Sequence, residues 1–154
     1  MILLPILWFF QVGRWSDLAT KEVEHGLHHF TFASFRPLTR LMPAQLIAAI
    51  ALAIALASPL LIRYFLIGDW LPILSIVTGA VLIVSLSVFL GVISGGKKLF
   101  EVVYFMLTYA HLNKADVLDY FGGMVHSPAT ICTVTMIAVS FLAVGFIVRK
   151  FQMI

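Results

Sequence analysis

Two apolar runs separated by only Gly68-Asp69-Trp70 constrain this chain more than any other feature. Pro43 to Ile67 carries just Gln45 early and Arg63 late, and Leu71 to Ser94 carries no charge at all. A helix rises about 1.5 Å per residue, so each run reaches across a hydrocarbon core of about 30 Å. Joined by a tight glycine turn, they are expected to form an antiparallel helix hairpin in a membrane. Composition agrees: 62% of residues are hydrophobic and 11% are charged. A soluble domain of 154 residues has too much surface to cover with so few polar groups. The predicted fold class is all-α: a polytopic helical membrane protein forming one transmembrane domain over 1–154.

The remaining segments fit around the hairpin. Ile2 to Val12 is apolar but short, and segment 2–13 reads as the end of a membrane helix whose start is missing. It lacks the basic flank and small-residue cleavage site of a secretory signal. Segment 14–42 is the longest polar stretch. Leu18, Val23, Leu27 and Phe30 recur there at roughly helical spacing, and Pro37 is expected to interrupt it. Leu99 to Leu112 is too short to cross alone. Segment 99–126 therefore reads as a short helix followed by a re-entrant or extracytoplasmic piece, and 128–148 as the last helix. This totals about four to five membrane helices. Ala49, Ala53 and Ala57 share a face, the small-residue spacing that lets helices approach closely, although alanine is also simply frequent here.

Basic residues set the orientation. With 14–41, 95–98 and 149–154 cytoplasmic, Arg14, Lys21, Arg36, Arg40, Lys97, Lys98, Arg149 and Lys150 lie inside, and only Arg63 and Lys114 lie outside. The topology requires Leu99–His126 to carry the chain back across, with any irregular backbone at that depth covered by protein or water. The lone Cys132 excludes an intrachain disulfide.

Three constellations carry candidate chemistry. His25-Gly26-Leu27-His28-His29 has the H-x-x-H-H spacing of one histidine box of membrane di-iron oxidoreductases. Such sites draw ligands from several boxes. The other two histidines, His111 and His126, stand alone. The choice lies between one ion held by His25, His28 and His29 and a polar interfacial loop; the second is preferred, with no metal site assigned. Gly91 to Lys98 nearly spells a phosphate-binding loop, but Lys98 replaces the magnesium-binding Ser or Thr and a membrane span precedes it, so nucleotide binding is rejected. Finally, Lys97, Glu101, Tyr104, Thr108 and His111 are spaced 4, 3, 4 and 3, one polar stripe on an otherwise apolar helix. The stripe faces either the bundle interior, a cavity or a partner, or else lipid headgroups. Glu101 can be offset there by Lys97 or Lys98.

The order of these parts resembles a known family. A charged loop reads Lys21-Glu22-Val23-Glu24-His25-Gly26, followed by Phe32-Ala33-Ser34-Phe35-Arg36-Pro37-Leu38 and the hairpin. Ser94-Gly95-Gly96-Lys97-Lys98-Leu99-Phe100-Glu101 then opens a short helix ahead of a polar segment and a final span. This is similar to the C-terminal two-thirds of a type-2 ATP-binding-cassette (ABC) transporter permease. The resemblance implies that Glu22, Glu24, His25, Gly26, His28, His29 and Arg36 form a surface that couples to a separate ATPase subunit. It also implies that Glu101, Tyr104, Thr108 and His111 line the pathway or bundle interior. ATP and magnesium would be bound by the ATPase partner; this chain would bind no cofactor and would not itself be an enzyme. A second permease chain, identical or related, and the lipid bilayer complete the expected partners, without nucleic acid. The expected location is the inner cell membrane, and the expected direction export. The alternatives are a histidine-box metal oxidoreductase and a non-transporting scaffold or remnant.

Overall fold

A computed structural model describes residues 3–18, 37–113 and 127–152, and every regular element among them is an α-helix. The order is α1 (Leu3–Phe9), α2 (Val12–Ser16), α3 (Pro37–Ile67), α4 (Trp70–Ser94), α5 (Lys98–Leu112) and α6 (Pro128–Gln152). Among the described residues three stretches are long and apolar enough to cross a membrane: Met42–Ile67 in α3, Trp70–Ser94 in α4 and Pro128–Phe151 in α6.

Helix α4 is the hub. It packs against α3, α5, α6 and α2, and buries much of its length, including Ile76, Ala80, Ile83 and Val84. In contrast, α3 and α6 turn large apolar side chains outward, among them Ile62, Phe65 and Leu66 on α3 and Met136, Val139 and Ile147 on α6. Water would penalise such flanks heavily, whereas lipid accepts them. Small residues bring the helices together. Ala53 and Ala57 are fully buried and Ala49 nearly so, so the alanine face of α3 is a packing face.

The hairpin turn forms as the sequence suggests. Gly68 takes φ +80°, a conformation disfavoured for residues with a Cβ, and the Asp69 N–H donates to the Tyr64 carbonyl at 3.1 Å. At the other end of α4, Gly95 ends the helix in the left-handed region, φ +62°, with its N–H on the Gly91 carbonyl. Gly91 itself is helical and buried, so half of the phosphate-loop-like sequence is simply the end of α4.

Three boundaries differ from the sequence reading. The expected single helix over 2–13 is instead two short helices. Between them the Gln11 N–H reaches back to Trp8 O and the Arg14 N–H to Gln11 O, three-residue bonds that tighten and redirect the chain. Pro37 starts a helix rather than interrupting one. Its missing N–H costs nothing at a first helical position, where that group has no intrahelical partner. The helix then continues through Pro43, so α3 has 31 residues and is about 46 Å long at about 1.5 Å per residue. The last helix runs past Val148 to Gln152.

Contacts place the elements relative to one another. Asp17, just after α2, meets Lys97 at the α4–α5 turn. Arg149, near the end of α6, is buried beside Leu18, Met42 and Val88. The end of α2, the 95–97 turn and the end of α6 therefore share one end of the bundle, and Gly68-Asp69 marks the other. Between Lys97 and Pro128 the chain must return to that far end. Helix α5 supplies 15 residues, about 22 Å at about 1.5 Å per residue, less than a full crossing.

Candidate functional site

The polar stripe of α5 lies on its buried face. Tyr104, Thr108 and His111 are buried and Glu101 is half-buried, while Val102, Phe105, Met106 and Tyr109 on the opposite side are exposed. Spacing of 3 and 4 puts the polar set on one side of the helix, and that side faces α2 and α4. Thr108 bonds locally, donating to the Tyr104 carbonyl at 2.9 Å.

Aromatic packing holds α1 and α2 against α5 and α3. The Trp8 and Trp15 rings meet edge to face with centroids 6.1 Å apart, and Trp15 meets Tyr104 in the same way at 6.4 Å. Phe100 extends the cluster at 5.8 Å from Tyr104. The Trp8 indole N–H donates to the Ala53 carbonyl at 3.2 Å, across the α1–α3 contact. The Ser87 hydroxyl of α4 donates to the Trp15 carbonyl. Trp15 Nε1 is buried with no hydrogen-bond partner among the described residues, so packing alone holds that ring.

At the bundle end, two polar contacts join the start of the charged segment to the head of α5. The Ser16 hydroxyl lies 2.9 Å from the Gly13 carbonyl and 3.2 Å from Glu101 Oε1, shared between two acceptors. Lys97 Nζ lies 3.9 Å from Asp17 Oδ1. This corrects the expected pairing of Glu101 with a lysine one turn earlier. Lys97 turns to Asp17 across the interface, and Glu101 accepts from Ser16 instead.

Arg149 had only been read as a basic flank of the last span. The structure buries it at the junction where Leu18 leaves towards the charged loop and Met42 and Gln45 return from it. The available signal was periodicity: Ala138, Leu142, Gly145 and Arg149 are spaced 4, 3 and 4, one face of α6, and Ala138 and Gly145 on it are buried as well. Ser16 and Asp17 carried no signal of their own, because their partners are 80 or more positions away in sequence.

Glu22, Glu24, His25, Gly26, His28, His29 and Arg36 lie outside the described residues, as does the polar segment 114–126. Among the described residues no group of three or more metal-ligating side chains converges.

A bundle with a buried central helix, apolar outer flanks and three membrane-length helices defines a helical membrane protein. Comparison with protein-family models, with curated proteins and with solved structures finds no match.

Proposed function

We propose that this chain is the membrane-spanning permease subunit of an ATP-driven transporter of the type-2 ABC class, working as an exporter. A separate ATPase binds ATP and magnesium and docks on the loop carrying Glu22, Glu24, His25, Gly26, His28, His29 and Arg36. Two permease chains frame the path in the inner cell membrane, with 14–41, 95–98 and 149–154 on the cytoplasmic side. In this reading segment 114–126 completes, as a re-entrant piece, the crossing that α5 begins. The resulting total is four to five membrane helices per chain.

One observation carries the reading: the start of the charged segment is tied to the head of α5 by Asp17–Lys97, Ser16–Glu101 and Trp15–Tyr104. A transporter driven from outside the membrane needs such a link from its docking loop to a path-lining helix. Magnitudes assign the roles. An exposed ion pair at 3.9 Å is worth about 0–1 kcal/mol and can break and reform. A buried aromatic pair adds about 0.5–1.5 kcal/mol beyond its area. Helices α2 and α5 thus move together through the aromatic cluster, while the polar contacts at the rim report the state. ATP drives the change to the extent that it binds the two arrangements differently.

Cysteine cross-linking tests this. In a Cys132→Ser background, Asp17→Cys with Lys97→Cys in native membranes is expected to be bridged by a short bifunctional thiol reagent, in a yield that changes several-fold on adding ATP and magnesium. A yield indifferent to ATP would remove the support that this contact gives to the proposal.

A further inference from the structure

Helix α5 has a second, apolar side opposite its polar stripe. Its exposed side and the α1–α2 segment border two adjoining open hollows of ≈ 660 Å³ and ≈ 280 Å³, which share Phe9, Phe105 and Tyr109. Together they follow α5 from Glu101 to Leu112, about 16 Å at about 1.5 Å per residue. That is half of a hydrocarbon core of about 30 Å, the depth of one leaflet. The walls are almost wholly hydrocarbon and aromatic.

The mouth of this groove is charged. Glu101 is half-buried and lines it. Among the described residues Glu101 accepts the Ser16 hydrogen bond and forms no ion pair, since Lys97 is taken by Asp17. A carboxylate at the edge of an apolar groove in a membrane is costly without a counter-cation. Arg14, next to the groove residue Gly13, and Lys98, at the start of α5, are exposed cations at the same end of the bundle. One anionic and two cationic groups at a leaflet-deep apolar groove match a zwitterionic headgroup above an acyl chain.

We propose that this groove binds a membrane phospholipid with a primary-amine headgroup, one acyl chain lying along the touching Phe9 and Phe105 rings and the ammonium on Glu101. The ammonium donates charge-assisted hydrogen bonds to the carboxylate, which a trimethylammonium group cannot do. Arg14 and Lys98 receive the phosphate. The site requires only that the chain lie in a membrane, so it stands or falls separately from the transport reading.

Native mass spectrometry of the full chain in mild detergent, with phosphatidylethanolamine, phosphatidylcholine or phosphatidylglycerol added at equal concentration, tests this. The ethanolamine lipid is expected to bind at least fivefold more than either of the others. Glu101→Gln, which keeps the size and an acceptor for Ser16, is expected to bring the three lipids to parity. Val102→Trp, filling the groove from an exposed position, is expected to lower ethanolamine-lipid binding severalfold, whereas Ile137→Trp on the outer face of α6 leaves it unchanged. Three results would each overturn the proposal: equal binding of the three lipids by wild type, a preference that survives Glu101→Gln, or a dimer without bound lipid that Val102→Trp dissociates.

Discussion

Trp8→Ala is expected to destabilise the folded chain by about 3–5 kcal/mol, the range for truncating a buried tryptophan. Trp8 is fully buried and performs three tasks. Its ring fills the space between α1 and α3, its edge meets Trp15, and its indole N–H caps the Ala53 carbonyl. In a membrane the water-transfer part of that cost is reduced, because lipid is as apolar as the protein interior. The packing part remains, since the cavity removes the ring that Trp15 and the Ala53 carbonyl meet. The low end of the range is therefore the one to expect. Trp8→Phe keeps most of the ring and loses the donor, so it should cost only about 1 kcal/mol. Thermal unfolding in detergent, followed by tryptophan fluorescence and helix content, separates the two. Because Trp15 and Tyr104 lean on the same cluster, Trp8→Ala should also loosen the hold of α2 on α5.

The second large effect concerns Gly145, where α6 crosses α4. A Cβ placed there meets Val88 Cγ1 at 3.5 Å and the Phe89 backbone at 3.7 Å, ordinary contact distances. Alanine therefore fits, and removing a glycine from a helix interior favours folding by about 0.5–1 kcal/mol. Leucine does not fit, because its further carbons must displace Val88 or push α6 away from the Phe89 backbone. Overpacking of this kind costs about 1–3 kcal/mol. The sign should thus reverse between Gly145→Ala and Gly145→Leu. Pushing the helices apart would also disturb the Phe89–Phe141 stack, whose ring centroids are 4.8 Å apart, and the seat of Arg149 one turn further on. Denaturation of the two variants in mixed micelles checks the reversal.

Long-range order and local order were legible to different degrees. The α3–α4 hairpin was readable because apolar runs of membrane length and a Gly-Asp turn are local signals. The 3-4-3 spacing of Glu101, Tyr104, Thr108 and His111 placed the polar set on one face of a helix for the same reason. Pro37 was misread because proline stops a helix from within but also starts one, and the sequence alone does not show on which side the helix lies. The break between α1 and α2 has no proline or glycine at its centre. Phe10 and Gln11 turn there through three-residue backbone bonds that no local sequence signal announces. Lys97 was expected to serve Glu101 from its own helix, yet the contact that forms reaches Asp17 on another element, which no local spacing encodes. Arg149 shows the same limit. At the end of a span an arginine usually snorkels to the surface, and only its place in the Ala138–Gly145 stripe hints at burial.

In the proposed transporter the loop through Glu22 to Arg36 docks a separate ATPase. The direct measurement is co-purification: the tagged chain is extracted gently from its native membrane, and its companions are identified for wild type and for Glu24→Arg. The account predicts an ATPase subunit with wild type that is lost, or at least tenfold depleted, with Glu24→Arg. An absence of any ATPase from both preparations, with the chain itself intact and folded, would contradict it.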